Sequence, residues 1–315
     1  MKAAVINQWG GPEVFEIKEL NKPVPNDGQV LVKVFTSGIN PVDWKHRSGF
    51  HKYILGAPFP IVLGYDICGE VIKTGKNVKK FKAGDIVFGD LDNKYGGALA
   101  EYALGSEHCF VIKPDAINNQ QAAAVSLAGL TALQALRDKG RLESGKSVII
   151  NGASGGVGHL AVQMSKIMGA KTIAVCGSKS QDFVKKYSPD VLIDYTVTNV
   201  LRLNKKVDVF FDISGVYSFV KTKHLLNPGG IYINPHPRIK ILIHKSLHPF
   251  CDKKKAKTLI RKQNSKDLHT LANWIETGKL VPKIDKVFQF PDISEAHHYS
   301  ENNKIQGKNI VVISN

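Results

Sequence analysis

The fold of this 315-residue chain is decided by the stretch Val148-Ile149-Ile150-Asn151-Gly152-Ala153-Ser154-Gly155-Gly156-Val157-Gly158. Three apolar strand formers run directly into a glycine cluster, and an apolar pattern of helical period follows over residues 160–168. A strand, a tight glycine turn and a helix direct free backbone N–H groups and a helix N-terminus towards a diphosphate. The stretch therefore predicts a nucleotide-binding unit. The residues expected to contact the nucleotide here are Gly152, Ser154, Gly155, Gly156 and Val157.

The composition is that of a globular chain with no membrane span and no disulfide framework. Hydrophobic residues make up 43% of the chain, and its four cysteines lie far apart. No apolar run approaches the roughly 20 residues that cross a bilayer. The N-terminus enters a strand-like pattern at once, unlike the apolar segment of a signal peptide. We therefore expect a cytoplasmic protein that does not bind membranes.

The formal net charge of +16 allows two interpretations. One is a nucleic-acid partner, and the other is a generally basic surface with pockets for an anionic cofactor. The densest basic run, residues 253–257, has no interleaved aromatic residue. This pattern favours the second interpretation, so we expect no nucleic-acid partner.

Strand and helix patterns divide the α/β chain into two domains. Residues 1–118 read as short strands separated by Gly, Pro and Asn, which predicts a β-rich, partly closed barrel. Strands and helices then alternate over residues 119–262, which is typical of a doubly wound parallel sheet. The tail, residues 263–315, is too small to fold alone, so we expect it to complete the first domain.

The predicted elements follow the apolar periodicity. In the first domain, residues 97–102 are among the predicted strands. In the second, the predicted strands are 147–151, 172–176, 191–194, 207–212 and 230–233, with a candidate sixth at 256–262, and the predicted helices are 120–136, 157–169, 180–187 and 216–226.

The turn after the second strand of the parallel sheet bears on the choice of cofactor. In NAD-binding units an acidic residue about 20 positions past the glycines holds the ribose 2′-hydroxyl. Here the turn reads Cys176-Gly177-Ser178-Lys179. The Ser178 hydroxyl and the Lys179 ammonium suit a 2′-phosphate, which predicts NADPH. The alternative is a solvated loop. Tyr195, which closes the third strand, is expected either to flank the same phosphate or the adenine, or to be an ordinary edge aromatic.

Three motifs at these distances carry a family resemblance. Ala128-Gly129-Leu130-Thr131-Ala132, the glycine stretch and Asp194-Tyr195 resemble the medium-chain dehydrogenase/reductase superfamily, and more narrowly its quinone oxidoreductase branch. The resemblance covers essentially the whole chain. It implies a GroES-like β-barrel catalytic domain and a Rossmann cofactor domain. It also implies that Thr131 lies by the nicotinamide and that Lys308 helps to bind the cofactor.

The resemblance raises the question of a catalytic zinc. Alcohol dehydrogenases of this superfamily bind zinc through a Cys, a Gly-His-Glu segment and a second Cys or Asp. The corresponding segments here are residues 39–43, 64–66 and 127–129. Tyr65 stands at the His position and Ala128 at the last ligand position, so three ligands cannot be assembled. The eleven histidines show no ligand spacing. We therefore expect no metal, and without a Lewis acid alcohol oxidation is disfavoured.

The segment Asn40-Pro41-Val42-Asp43-Trp44-Lys45-His46-Arg47-Ser48-Gly49 resembles the one that lines the nicotinamide pocket in this branch. By this resemblance Lys45 is the cation near the substrate oxygen, or near the nicotinamide ribose hydroxyls, while Asn40 and Asp43 order the loop. The alternative is a surface lysine after a structural turn. Residues 234–238 are expected to shape substrate access.

These expectations combine into an NADPH-dependent, zinc-independent oxidoreductase that transfers hydride to a quinone or to the activated C=C of an α,β-unsaturated carbonyl. The enolate formed needs only a hydrogen-bond donor or a cation. The alternative is a nucleotide-bound protein that binds RNA or another acidic partner with little or no turnover. A homodimer is possible, although the lysines at 253–257 would oppose pairing at a sheet edge.

Overall fold

The computed structural model describes residues 1–56, 58–236 and 254–314. The chain falls into two compact units, one made of Met1–Ala128 with Gln263–Asn315 and the other of Gly129–Lys262. The strands are β1 (Lys2–Ile6), β2 (Phe15–Glu19), β3 (Gln29–Gly38), β4 (Ile61–Val62), β5 (Asp66–Thr74), β6 (Ile86–Asp90), β7 (Tyr102–Ser106), β8 (Phe110–Ile112), β9 (Ser147–Asn151), β10 (Lys171–Cys176), β11 (Val191–Asp194), β12 (Val207–Asp212), β13 (Leu226–Asn234), β14 (Lys255–Thr258), β15 (Ile284–Gln289) and β16 (Lys308–Val312).

The α-helices of the described residues are mostly short. They are α1 (Pro41–Arg47), α2 (Lys52–Leu55), α3 (Asn119–Ala123), α4 (Ser126–Gln134), α5 (Gly156–Ile167), α6 (Gln181–Lys185), α7 (Phe219–Thr222), α8 (Ser265–Glu276) and α9 (Ile293–Asn302). None of them is long and apolar enough to cross a membrane.

The first unit is built on β-sheets. A seven-stranded sheet has the order β15-β16-β3-β5-β6-β8 with β7 paired to β3, and a three-stranded sheet has the order β2-β1-β4. Val30, Val32 and Val34 alternate along β3 and are buried in the core of this unit. The tail joins the sheet through β16, which runs antiparallel to β3. The tail therefore lies in the first unit, as its size suggested.

The boundary of the first unit differs from the expected one. The unit extends to Ala128, whereas the composition placed the boundary at residue 118. The reason is that α3 packs on β3 and β5 rather than on the parallel sheet.

One predicted strand of the first unit is misplaced. The expectation of a strand over residues 97–102 is wrong, because the strand β7 begins at Tyr102. Gly96 and Gly97 have φ angles of 86° and 108°, which residues with a side chain rarely adopt. Beyond them the Ala98 and Leu99 N–H groups donate to the Gly64 and Leu63 carbonyls, so the backbone is satisfied outside a regular ladder.

The second unit is a parallel sheet of order β11-β10-β9-β12-β13-β14. Strands β9, β11 and β12 have the predicted bounds, because each is rich in apolar residues and ends at a polar residue. The helix predicted over 216–226 is shorter than expected, since β13 already begins at Leu226. The sixth strand, β14, covers Lys255–Thr258 and lies at the edge of the described sheet. Residues 237–238 of the predicted access segment, and Lys253 of the basic run, lie outside the described residues.

Candidate functional site

The glycine turn after β9 leaves the N-terminus of α5 accessible. Gly155 is the N-cap residue, and it has no side chain to occupy the first N–H groups of the helix. A Cβ at Gly155 would have Gly152 O as its nearest described neighbour, 3.7 Å away. A Cβ at Gly158 would lie 2.0 Å from that same oxygen, so Gly158 is needed for close packing of the helix on the turn. An open helix N-terminus of this kind fits a diphosphate.

The remaining predicted residues of this turn also reach the surface. Ser154, Gly156 and Val157 are each partly exposed, whereas Ala153, which precedes them, is buried. The turn therefore reaches solvent from Ser154 to Val157. Contact of these residues with a cofactor stays a prediction.

A buried carboxylate holds the strand ends beside the glycine turn. Asp212, the last residue of β12, is 0% exposed. Its oxygens accept hydrogen bonds from Asn151 Nδ2 at 2.7 Å and from Tyr232 Oη at 3.0 Å, and the Tyr217 N–H donates at 2.9 Å. The network links the ends of β9, β12 and β13. The glycine turn therefore starts from an ordered edge of the sheet.

A second carboxylate lies beside the turn at which NAD-binding units carry their ribose-binding acid. The turn after β10 carries no acid of its own, but the parallel register pairs Cys176 of β10 with Asp194 of β11. Ser178 Oγ donates to Asp194 Oδ2 at 2.5 Å, and Thr196 Oγ1 donates to Asp194 Oδ1 at 2.6 Å. These hydrogen bonds, that of Ser178 first, lower the pKa of the Asp194 carboxyl. The structure thus places a partly exposed negative charge next to Ser178, and the sequence reasoning did not predict this contact.

Tyr195 and Lys179 lie at the same turn. Tyr195 is 42% exposed, and a Cβ at Gly177 would be 3.0 Å from Tyr195 Oη. The tyrosine hydroxyl therefore lies directly against the turn backbone. Lys179 is exposed. Ser178, Lys179 and Tyr195 are thus brought together at one place.

Thr131 lies on α4 and is 7% exposed. The helix begins in the first unit and continues into the second, whose boundary is at Gly129. Contact of Thr131 with the nicotinamide stays a prediction.

The predicted catalytic loop forms α1 in the first unit. Asn40 is the N-cap residue and Pro41 occupies the first helical position, where its missing N–H costs nothing. Asp43 Oδ2 accepts a hydrogen bond of 2.7 Å from the Asn40 N–H. Asp43 is 1% exposed. The carboxylate therefore orders the start of the helix. A catalytic role of Asn40 and Asp43 stays a prediction.

The Asn40 side chain turns away from the helix into a buried ionic network. Its Nδ2 donates to Asp66 Oδ2 at 2.9 Å, and its Oδ1 accepts a short hydrogen bond from Lys308 Nζ. Lys308 Nζ also lies 2.9 Å from Asp66 Oδ2 and donates to Ile39 O at 3.0 Å. Lys308 is 2% exposed and Asp66 is 0% exposed. The other Asp66 oxygen accepts from the Leu127 N–H at 2.6 Å.

This network gives Lys308 partners other than those expected for it. The resemblance implied that Lys308 helps to bind the cofactor, but its ammonium is buried among three acceptors of the first unit. We therefore assign it to the positioning of Asn40. Asp66, which connects Asn40 to Lys308, was not among the predicted site residues.

The residues at the zinc-ligand positions of alcohol dehydrogenases are engaged in other contacts. Tyr65 Oη donates to Lys94 O at 2.8 Å and lies 3.4 Å from His46 Nδ1. Ala128 offers no ligand atom. In the described part of the chain, no group of three close His, Cys or carboxylate ligands includes Asn40, Tyr65 or Asp66.

Lys45 lies on the exposed side of α1, near two aromatic rings. It is partly exposed, and its Nζ is 5.4 Å from the centroid of the Trp44 ring. Burial, and after it the Lys45 ammonium, lowers the pKa of His51. His51 in turn contacts the His46 ring edge to face, with centroids 4.7 Å apart. Lys45 thus lies near His51, whose ring contacts His46. Contact of Lys45 with a substrate oxygen or with the cofactor stays a prediction.

The chain matches known proteins over its whole length. Two family models match, the alcohol dehydrogenase GroES-like domain over residues 26–115 and the zinc-binding dehydrogenase over residues 189–311. The chloroplast envelope quinone oxidoreductase homolog of Arabidopsis thaliana is 32% identical over 99% of this chain and 98% of its own length. The NADPH-dependent alkenal/one oxidoreductase of the same plant is 34% identical over 99% of this chain and 79% of its own length.

A solved structure extends the likeness to three dimensions. The quinone oxidoreductase from Coxiella burnetii superposes with a TM-score of 0.91 at 31% sequence identity, covering 100% of this chain and 99% of that one. A barrel-type domain followed by a parallel-sheet domain is therefore shared over the full length.

Proposed function

Because the chain belongs to the quinone oxidoreductase-like group of the medium-chain dehydrogenase/reductase superfamily, we propose that it uses NADPH to reduce quinones or the activated C=C of α,β-unsaturated carbonyl compounds without a catalytic zinc. It is an oxidoreductase of this group with a nicotinamide cofactor. The choice of NADPH, the acceptor and the independence from zinc are our proposal.

The observation that carries the proposal is the position of the Lys308 ammonium. It hydrogen-bonds Asn40 and Asp66, which stand in two of the three segments that supply zinc ligands in alcohol dehydrogenases. A buried ammonium repels a divalent cation at close range, and Tyr65 and Ala128 supply no replacement for the missing ligands. Chemistry that needs a Lewis acid, such as alcohol oxidation, is therefore disfavoured.

The second unit would hold the cofactor, which supplies a hydride to the acceptor. The open N-terminus of α5 binds the diphosphate through its N–H groups. Ser178 and Lys179 contact the 2′-phosphate, and Tyr195 lies against it or against the adenine. Asp194 opposes a 2′-phosphate by charge, so the proposed preference for NADPH depends on Lys179 outweighing it.

The first unit would supply the groups that meet the acceptor. Lys45 stabilises the negative charge that collects on the conjugated oxygen, or it holds the nicotinamide ribose hydroxyls. Asn40 and Asp43 keep α1 in position, and Asp66 and Lys308 hold Asn40 in turn. Water serves as the proton source for the resulting enolate or hydroquinone oxygen.

The test is NADPH oxidation by a 1,4-quinone and by an enone, with NADH as the matched control cofactor. We expect turnover with NADPH in the presence of a metal chelator and little with NADH. If calorimetry finds that the protein binds neither nucleotide, the proposal is contradicted. The alternative, an RNA-binding protein, rests on the net charge. It would require that the protein is retained on immobilised RNA, that this retention falls steeply with salt, and that no turnover is seen. The homodimer and the cytoplasmic location stay predictions.

A further inference from the structure

The pairing of β6 with β8 brings three possible metal ligands together at one edge of the first unit. Gly89 of β6 pairs with Phe110 of β8. Asp92 follows β6, while His108 and Cys109 form the short turn before β8. The antiparallel ladder therefore places the loop after one strand next to the turn before the other.

The donor atoms of these residues are mutually close. One carboxylate oxygen of Asp92, one ring nitrogen of His108 and the Cys109 sulfur all lie within 4.8 Å of one another. His108 Nε2 is 3.6 Å from Asp92 Oδ2. Ligand atoms in a tetrahedral zinc site are about 3.5 Å apart, because their bonds to the metal are about 2.0–2.3 Å long. Small side-chain rotations therefore suffice to enclose an ion.

We propose that Asp92, His108 and Cys109 bind a divalent transition metal of the zinc class, through one oxygen, one nitrogen and one thiolate. The mixture of donors excludes Mg²⁺ and Ca²⁺, which take oxygen ligands. It suits Zn²⁺ and Co²⁺, with water as the fourth ligand. The site lies apart from the zinc-ligand positions of alcohol dehydrogenases and goes beyond the proposed function. It also departs from the expectation of no metal, which rested on the missing ligands at the zinc positions of alcohol dehydrogenases and on the spacing of the histidines.

The surroundings of the three residues order the ligands. Ser106 Oγ donates to Asp92 Oδ2 at 2.5 Å, and the Ser106 N–H donates to Oδ1 at 3.3 Å. The Cys109 side chain is buried in the core, which limits its rotation. Ligands whose orientation is held by such outer contacts bind metal more tightly.

The ion would have a structural role. On binding, the Cys109 thiol would give up its proton to the buffer and form a metal–thiolate bond. The bound ion would tie the loop after β6 to the turn before β8 and so stabilise the first unit.

The test uses the tag-free full chain, which is first treated with a chelator and dialysed and is then titrated with Co²⁺. We expect a thiolate-to-cobalt charge-transfer band that saturates at one ion per chain and is displaced by Zn²⁺. Cys109→Ser should lose the band, whereas Cys176→Ser, which alters a buried thiol of the second unit, should keep it. His108→Ala should weaken binding at least tenfold, and Zn²⁺ should raise the Tm of the wild type but not of this variant.

Two outcomes would overturn the proposal. One is the absence of a thiolate band in the wild type. The other is a band of equal strength and affinity in His108→Ala and Asp92→Asn. Because His108 is 54% exposed, its replacement leaves the core intact, so the proposal stays testable even where Cys109→Ser fails to fold.

Discussion

Replacing Lys308 by Met removes the cation of the buried network while keeping a side chain of similar length. Asp66 is then left 0% exposed without an opposite charge. Removal of one partner of a buried ion pair costs about 3–5 kcal/mol of unfolding free energy. Asp66 keeps its hydrogen bonds from Asn40 Nδ2 and the Leu127 N–H. We therefore expect a loss near the lower end of the range, about 3 kcal/mol.

The tryptophans of the chain allow this loss to be assigned to one unit. All three, Trp9, Trp44 and Trp274, belong to the first unit. Urea unfolding followed by tryptophan fluorescence therefore reports the unit that contains Lys308, even if the second unit unfolds separately.

Two further variants make the measurement decisive. Lys308→Met combined with Asp66→Asn removes both charges and keeps an oxygen for the Leu127 N–H, so it should cost less than the sum of the single changes. Lys286→Met breaks an ion pair with Glu295 whose partners are 42% and 61% exposed, and it should cost about 0.5 kcal/mol or less. A loss in Lys308→Met no larger than that of Lys286→Met would refute the reasoning.

Three other predictions rest on separate features. Asp194→Asn removes the charge that Ser178 contacts, so the ratio of NADPH to NADH affinity should rise several-fold in calorimetry; an unchanged ratio would show that Asp194 does not face the 2′-phosphate. Gly158→Ala places a Cβ 2.0 Å from a carbonyl oxygen, so it should lower the Tm of the second unit as measured by circular dichroism. Gly155→Ala, whose Cβ would be 3.7 Å from the same oxygen, should fold normally and lose nucleotide affinity. Equal losses of Tm in the two variants would contradict this. His297 is buried, and burial first and then Arg47 lower its pKa to about 3 from 6.5. The unfolded chain therefore binds its proton more readily, and unfolding free energy should fall by about 2 kcal/mol from pH 7 to pH 5 through this group; His297→Gln should flatten that dependence, and an unaltered slope would argue against it.

The strands of the second unit were predictable because their signals are local. β9, β11 and β12 are rich in apolar residues and end at Asn151, Asp194 and Asp212, and their bounds match the expected ones. The glycine turn and the start of α1 are local as well, since Asn40, Pro41 and Asp43 together encode a helix start. The sequence therefore indicated the glycine turn and the ordered start of α1, whereas their contacts with a cofactor or substrate stay predictions.

The contacts that were missed depend on pairing between distant strands. Asp194 reaches Ser178 because β10 and β11 lie side by side and end at the same edge. That signal was available, because the carboxyl ends of neighbouring parallel strands meet. Lys308 and Asp66 are 242 positions apart, and no local pattern indicates that they form a pair.

The central claim is that Lys45 acts in the catalysis of a reductase that needs no zinc. The most direct test is the kcat for NADPH oxidation with an enone, measured in the presence of a chelator. The account predicts turnover by the wild type and a loss of about 100-fold in Lys45→Ala, as for removal of one preorganised charge-stabilising group, with NADPH affinity retained. Lys52→Ala, which alters an exposed lysine on α2, should keep the wild-type kcat. Loss of all turnover on chelation, or an unchanged kcat in Lys45→Ala, would contradict the account.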